Sequence, residues 1–121
     1  MTKVIEFVKD GWDVTLTVRM ASTRDRLQRN AMLAKLKTDP IEEESSEAWY
    51  FRTHVYANLM AVTAIESRGD NVVPQKPTVD EFLDLPDELV DQWSDACVEE
   101  NKHWFPFHRK AEEKSNTETS T

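Results

Sequence analysis

The side chains best suited to chemistry in this sequence are three histidines, one cysteine and two pairs of aspartates. His103 and His108 lack the i, i+4 spacing by which two histidines on one helix bind zinc. His54 lies in an apolar stretch, which favours a hydrogen-bonded core histidine over a general base. Cys97 has no nearby histidine or helix N-terminus to lower its pKa, so we interpret it as inert packing.

The aspartate pairs are Asp80 with Asp84 and Asp87 with Asp91, each spaced so that both carboxylates share one helix face. Without further ligands around them, they would bind at most adventitious divalent cations. No nucleophile, cofactor or metal pattern accompanies them. We therefore predict a protein that is not an enzyme and has no cofactor or metal. A small divalent-metal hydrolase is the remaining enzymatic alternative.

Length and composition exclude several classes of protein. The chain has 121 residues and a net charge of -8, and its single cysteine excludes a disulfide framework. Two glycines, Gly11 and Gly69, cannot supply a P-loop or a dinucleotide fingerprint. The acidic balance argues against nucleic acid as a partner, and no apolar run is long enough for a membrane span. We expect a cytoplasmic protein with one domain over residues 1–107.

The elements that must position these side chains begin with a β-hairpin at about residues 3–20. Val14, Leu16 and Val18 alternate with polar residues, which is the period of a half-buried strand. Asp10-Gly11 supplies the tight turn. Because a lone hairpin is marginally stable, its apolar side must be covered by the helices that follow or by another copy of the chain.

Four helices are predicted next, at about residues 22–37, 46–68, 78–84 and 86–103, so the fold class is α+β and mainly α. Pro40 ends the first helix, and Gly69 closes the second. The second helix is apolar nearly all round, which predicts a central core element or one partly covered by a neighbouring subunit. Residues 108–121 have no large apolar side chain and should form a disordered polar tail.

Local signals place the apolar sides and caps of the other helices. Ser22 or Thr23 should cap the first helix, and Thr78 with Glu81 forms a capping box for the third. The stripe predicted to face the core in the first helix is Leu27, Ala31 and Ala34, and Met32, Leu33 and Leu36 widen its apolar side. In the last helix the stripe is Leu89, Trp93 and Cys97, with Val90 and Ala96.

Charge is segregated along the chain. The first helix is basic, with Arg24, Arg26 and Arg29 in its first half, whereas residues 76–100 carry a net charge of -8. Each surface is either a solvated face or a docking face, and the two could meet between subunits in a salt-sensitive head-to-tail polymer. The candidate partner-binding residues are Arg24, Arg26, Arg29, Asp84, Asp87, Asp91, Asp95, Trp104, Phe105 and Phe107. The three aromatics are either a clasp on the core or an anchor for a partner.

The order of these features resembles the tail assembly chaperones of siphovirus-type phages and prophages. The residues that carry the resemblance are the strand VTLTVR (14–19), the switch ASTRD (21–25), the block PTVDEFLDLPDELVDQW (77–93) and NKHW (101–104). The likeness covers roughly residues 10 to 105. It includes no catalytic motif.

The resemblance implies a helical protein with an N-terminal hairpin that self-associates and binds the tape measure protein until tail tube protein displaces it. The implied location is the cytoplasm of the bacterial host and not the mature virion. A runner-up function belongs to another class: a small acidic phage-encoded inhibitor that mimics nucleic acid and binds a basic groove of a host protein.

Overall fold

A three-stranded antiparallel sheet and a set of helices make up the structure, a computed structural model that describes residues 2–38 and 41–105. The strands are β1 (Thr2–Lys9), β2 (Trp12–Arg19) and β3 (Thr63–Ser67). The helices are α1 (Thr23–Lys37), α2 (Ser46–Tyr50), α3 (Tyr56–Val62), α4 (Val79–Leu83) and α5 (Asp87–Glu100), with a π-helical segment at Phe51–Val55 and a 3-10 turn at Lys102–Trp104. The fold is therefore a mixed α+β arrangement. Phe107 and the predicted tail lie outside the described residues, as does Pro40.

The predicted hairpin is confirmed, and it forms two thirds of the sheet. Asp10 and Gly11 turn the chain with φ of 49° and 88°, the left-handed conformation that a two-residue hairpin turn requires. β2 lies in the centre, between β1 and β3. Alternate residues of the strands face one side and are buried there: Ile5, Phe7, Val14, Leu16, Val18 and Ile65.

The third strand corrects the prediction of one helix from 46 to 68. The helix ends at Val62, and Thr63 is already extended, with φ of -120° and ψ of 134°. Residues 63 to 67 then pair with β2, with Ile65 opposite Leu16. The free edge of the hairpin supplies a hydrogen-bond ladder that the local sequence does not reveal, and this ladder favours the strand over two more helical turns.

The role predicted for Gly69 was also wrong, because no helix ends there. Gly69 instead packs against the hairpin turn, where a Cβ would clash with the carbonyl oxygen of Gly11 and lie 2.7 Å from the Asp13 nitrogen. The neighbouring Arg68 nitrogen donates to the Asp13 carbonyl at 2.8 Å. The glycine therefore lets its backbone lie close against the hairpin turn, and it does not cap a helix.

The core lies between the sheet and the helices α3 and α5. The stripe of α5 is buried as predicted, with Leu89, Trp93 and Cys97 all inaccessible to solvent. α3 also belongs to this core, since six of its seven residues are buried. The cap predicted at Ser22 or Thr23 is Ser22, which accepts from the Asp25 nitrogen before α1, and the capping box predicted at Thr78 is present, with Thr78 accepting from the Glu81 nitrogen before α4.

The orientation of α1 differs from the predicted one. Leu27, Ala31 and Ala34 face solvent, and Leu27 is 59% exposed. Asp25 and Arg29 lie on the inner side because of contacts to distant residues. Asp25 accepts from Arg19 at 2.7 Å, and the guanidinium of Arg29 lies 4.2 Å from the ring centroid of Trp104. These contacts, together with Met32 and Leu36, which are partly buried against the core, fix the rotation of the helix and leave Leu27, Ala31 and Ala34 on the surface.

Candidate protein-binding groove

The three candidate arginines of α1 have different surroundings. Arg24 and Arg26 are exposed, as a docking face requires. Arg29 is half-buried over Trp104, and burial together with the nearby Arg26 lowers its pKa. Trp104 and Phe105 are only 7% and 3% exposed and belong to the core. Their burial favours the clasp over the partner anchor for these two side chains.

The four candidate aspartates all lie at the surface. Asp84 follows α4, and Asp87, Asp91 and Asp95 belong to α5; each of the four is exposed. None of them forms an ion pair with another described residue. Other acids of α5 do: Glu88 pairs with Lys9 at 2.8 Å, and Glu99 pairs with Lys3. The four aspartates therefore form part of an acidic surface that remains open to a cationic partner.

An apolar groove lies beside these aspartates, with a volume of about 510 Å³. Phe51, Phe82 and Val90 line its floor. Two exposed apolar side chains, Ile41 at 55% and Leu83 at 57%, stand at its edges. Carboxylates surround the apolar surface: Glu44, Glu47, Asp80, Asp87 and Asp91. The combination suits an apolar segment flanked by basic residues.

One buried ion pair holds the wall of this groove. Arg52 donates to both carboxylate oxygens of Glu44, at 2.8 and 2.9 Å, and a third hydrogen bond of 2.9 Å reaches the Leu36 carbonyl. These hydrogen bonds lower the pKa of Glu44. Ser45, the next residue, caps α2 by accepting from the Ala48 nitrogen. The segment that carries Ile41 is therefore fixed between α1 and α2.

A second cavity of about 690 Å³ shares this wall and is lined by aromatic side chains. The ring of His54 stacks on Tyr50 with centroids 4.9 Å apart and lies 5.3 Å from the Trp49 ring. His54 Nδ1 is 2.8 Å from the Thr53 hydroxyl. Burial, aided by Lys37 and Arg29, lowers its pKa. His54 is thus hydrogen-bonded, as predicted, but half-buried at the end of a cavity and not enclosed in the core.

Groups able to bind metal are scattered. Within residues 2–38 and 41–105, no three histidine, cysteine, aspartate or glutamate side chains come together as a metal site. The pair Asp80 and Asp84, like the pair Asp87 and Asp91, is exposed to solvent.

None of the described helices is long and apolar enough to cross a membrane.

The reactivity of the Cys97 thiol measures how well the core excludes solvent. Burial raises the pKa of its thiol to about 12, far above the ordinary range. Because the thiolate is the reactive form, we expect the native protein to react with Ellman's reagent at pH 8 about a thousandfold more slowly than the unfolded chain. The measurement compares labelling rates in buffer and in denaturant. Rapid labelling of the folded protein would show that the core opens at α5.

The chain matches no protein-family model, no curated protein and no solved structure. The groove must therefore be interpreted from its own residues.

The residues that form the groove carried little signal in the sequence. Ile41 lies between Pro40 and a run of three glutamates, of which Glu44 lines the groove. Leu83 is apolar and ends the short helix α4, and nothing in its neighbours indicates that it is exposed. The pairing of Glu44 with Arg52 joins residues eight positions apart across a helix start, which no helical spacing rule identifies.

Proposed function

We propose that this protein is a tail assembly chaperone, without enzymatic activity, that holds an apolar segment of the tape measure protein in the groove. The observation that carries the proposal is the apolar floor with a carboxylate rim, open at the surface and bordered by Ile41 and Leu83. The identity of the partner comes from the sequence resemblance. Its chemistry comes from the groove.

Such a groove suits a chaperone that must release what it binds. Covering an apolar helix face removes the surface that would otherwise cause aggregation. The acidic rim favours segments with basic flanks and speeds their capture, while it adds less to the final affinity. The protein would act in the bacterial cytoplasm and leave when tail tube protein takes over the segment, so it would not remain in the mature virion.

The test is binding to a tape measure protein encoded downstream of this gene. Leu83→Asp places a charge on the apolar edge of the groove, and we expect the dissociation constant to rise at least about tenfold. Because Leu83 is exposed, the variant should fold normally, which circular dichroism checks.

Val72→Asp is the matched control, since Val72 is also exposed but does not line the groove. Its binding should equal that of the wild type. Equal binding by the Leu83 variant, or no binding by the wild-type chain, would contradict the proposal.

The exposed carboxylates also favour the second candidate, an inhibitor that mimics nucleic acid. Its active surface would be Asp84, Asp87, Asp91 and Asp95, all exposed and without ion pairs to described residues. Replacing these four by asparagine should abolish inhibition under this alternative and only alter assembly under the first. Leu83→Asp should have the opposite effects: it should weaken binding in the groove under the first proposal and leave inhibition unchanged under the alternative. The reason is that it alters the groove and keeps the four aspartates.

A further inference from the structure

The outer face of α1 is an unpartnered apolar stripe between two basic rows. Leu27, Ala31 and Ala34 follow each other at spacings of four and three, and all are exposed. At 100° per residue, Arg24 and Lys35 fall on one side of this stripe, and Arg26 and Lys37 on the other. The stripe is about 10 Å long at 1.5 Å per residue. No described residue of the same chain neutralises these four basic side chains in an ion pair.

The groove has the complementary arrangement. Its apolar floor and edges lie between carboxylates from two parts of the chain: Glu47 on α2, and Asp80, Asp87 and Asp91 on α4 and α5. Glu44 also lines the groove, but its charge is paired with Arg52. None of the residues that line it belongs to α1. One copy can therefore present its α1 stripe while its own groove remains open to another copy.

We propose that α1 of a second copy of this chain occupies the groove. Leu27 would contact the apolar edges near Leu83 and Ile41, and the basic rows would face the carboxylates on either side. The two surfaces differ, so the contact is heterologous and extends head to tail into a ring or an open filament. Charge attraction makes the assembly weaker at high salt. The contact requires only this chain, so it is tested without the tape measure protein, whose segment would compete with α1 for the same groove.

The test is a charge exchange followed by light scattering after size-exclusion chromatography, over a concentration series at low and high salt. One variant is Arg24→Glu with Lys35→Glu, and the other is Asp87→Lys with Asp91→Lys. The design assigns the row of Arg24 and Lys35 to the side of the groove that carries Asp87 and Asp91. Each variant alone places like charges along this one row, and we expect it to remain monomeric where the wild type assembles. A mixture of the two should assemble again, because each reversed row then meets a row of opposite charge.

Two controls change the net charge by the same amounts outside both surfaces: Lys76→Glu with Lys102→Glu, and Glu66→Lys with Asp70→Lys, all at exposed positions. Both should assemble like the wild type. Leu27→Ser alters only an exposed side chain and should weaken assembly about tenfold, which gives a readout that does not depend on charge. Three results would each overturn the proposal. The wild-type chain could stay monomeric at every concentration, or the charge variants could assemble alone. The mixture could also stay monomeric although circular dichroism shows that both variants are folded.

Discussion

Trp93→Ala is expected to lower the free energy of unfolding by about 3–5 kcal/mol, a large part of the stability of a domain of this size. Trp93 is fully buried at the centre of α5. Its ring packs edge-on against Phe82, with centroids 5.4 Å apart, and its indole nitrogen donates to the Thr63 hydroxyl at 2.8 Å. Alanine removes the ring that joins α4, α5 and the first residue of β3, and leaves a cavity that the surrounding helices cannot fill.

Urea denaturation followed by circular dichroism measures the change, and two variants separate its causes. Trp93→Phe keeps most of the aromatic volume and loses the hydrogen bond to Thr63, so it should cost about 1–2 kcal/mol. Trp49→Ala makes the same substitution at a side chain that is 41% exposed, and it should cost less than about 1 kcal/mol. Similar losses at positions 49 and 93 would contradict the central role of Trp93.

The features that the sequence predicted correctly are specified by neighbouring residues. The turn at Asp10 and Gly11 needs two residues that tolerate positive φ, and both stand together. The capping box at Thr78 needs a glutamate three positions later, and Glu81 is there. Such signals act within one turn, so they do not depend on the rest of the fold.

The features that the sequence did not predict depend on contacts between distant segments. Residues 63–67 are compatible with either a helix or a strand, and pairing with β2 decides between them. The rotation of α1 is set by Arg19 and by Trp104, the latter 75 positions from the Arg29 that it contacts. Because these partners lie outside the helix, its own apolar pattern did not distinguish Leu27, Ala31 and Ala34, which are exposed, from Met32 and Leu36, which pack against the core.

The groove was missed for the same reason. Its walls come from two segments, one around Ile41 and Phe51 and the other around Leu83 and Val90. The acidic charge of residues 76–100 was visible in the sequence, and its role as a docking surface stays a prediction. The arrangement of carboxylates around an apolar floor arises only after α2 and α4 pack together, with Phe51 against Phe82 at 5.5 Å between ring centroids.

Asn101→Ala should lower the free energy of unfolding by about 2–4 kcal/mol, although Asn101 is a polar residue outside any helix or strand. The side chain is 1% exposed. Its Oδ1 accepts from the Ala21 nitrogen at 2.7 Å, and its Nδ2 donates to the Arg19 carbonyl at 3.0 Å. One amide thus ties the end of α5 to the connection between β2 and α1. Alanine would leave both backbone groups without their partner.

Thermal and urea unfolding measure this loss, and Asn71→Ala is the matched control, since Asn71 is exposed and makes one side-chain hydrogen bond to the Asp10 carbonyl at 3.2 Å. That control should cost less than about 1 kcal/mol.

Asn101→Asp adds a test by pH. The ionised carboxylate can accept from the Ala21 nitrogen, but it repels the Arg19 carbonyl oxygen. This repulsion raises the pKa of the new carboxyl in the folded state. Protonation gives the carboxyl an O–H group that can donate to the Arg19 carbonyl again. The folded state then binds the proton more tightly than the unfolded chain, so the loss relative to the wild type should be largest at neutral pH and shrink as the pH falls through the folded-state pKa. A loss independent of pH would show that the amide acts by its shape and not by its two hydrogen bonds.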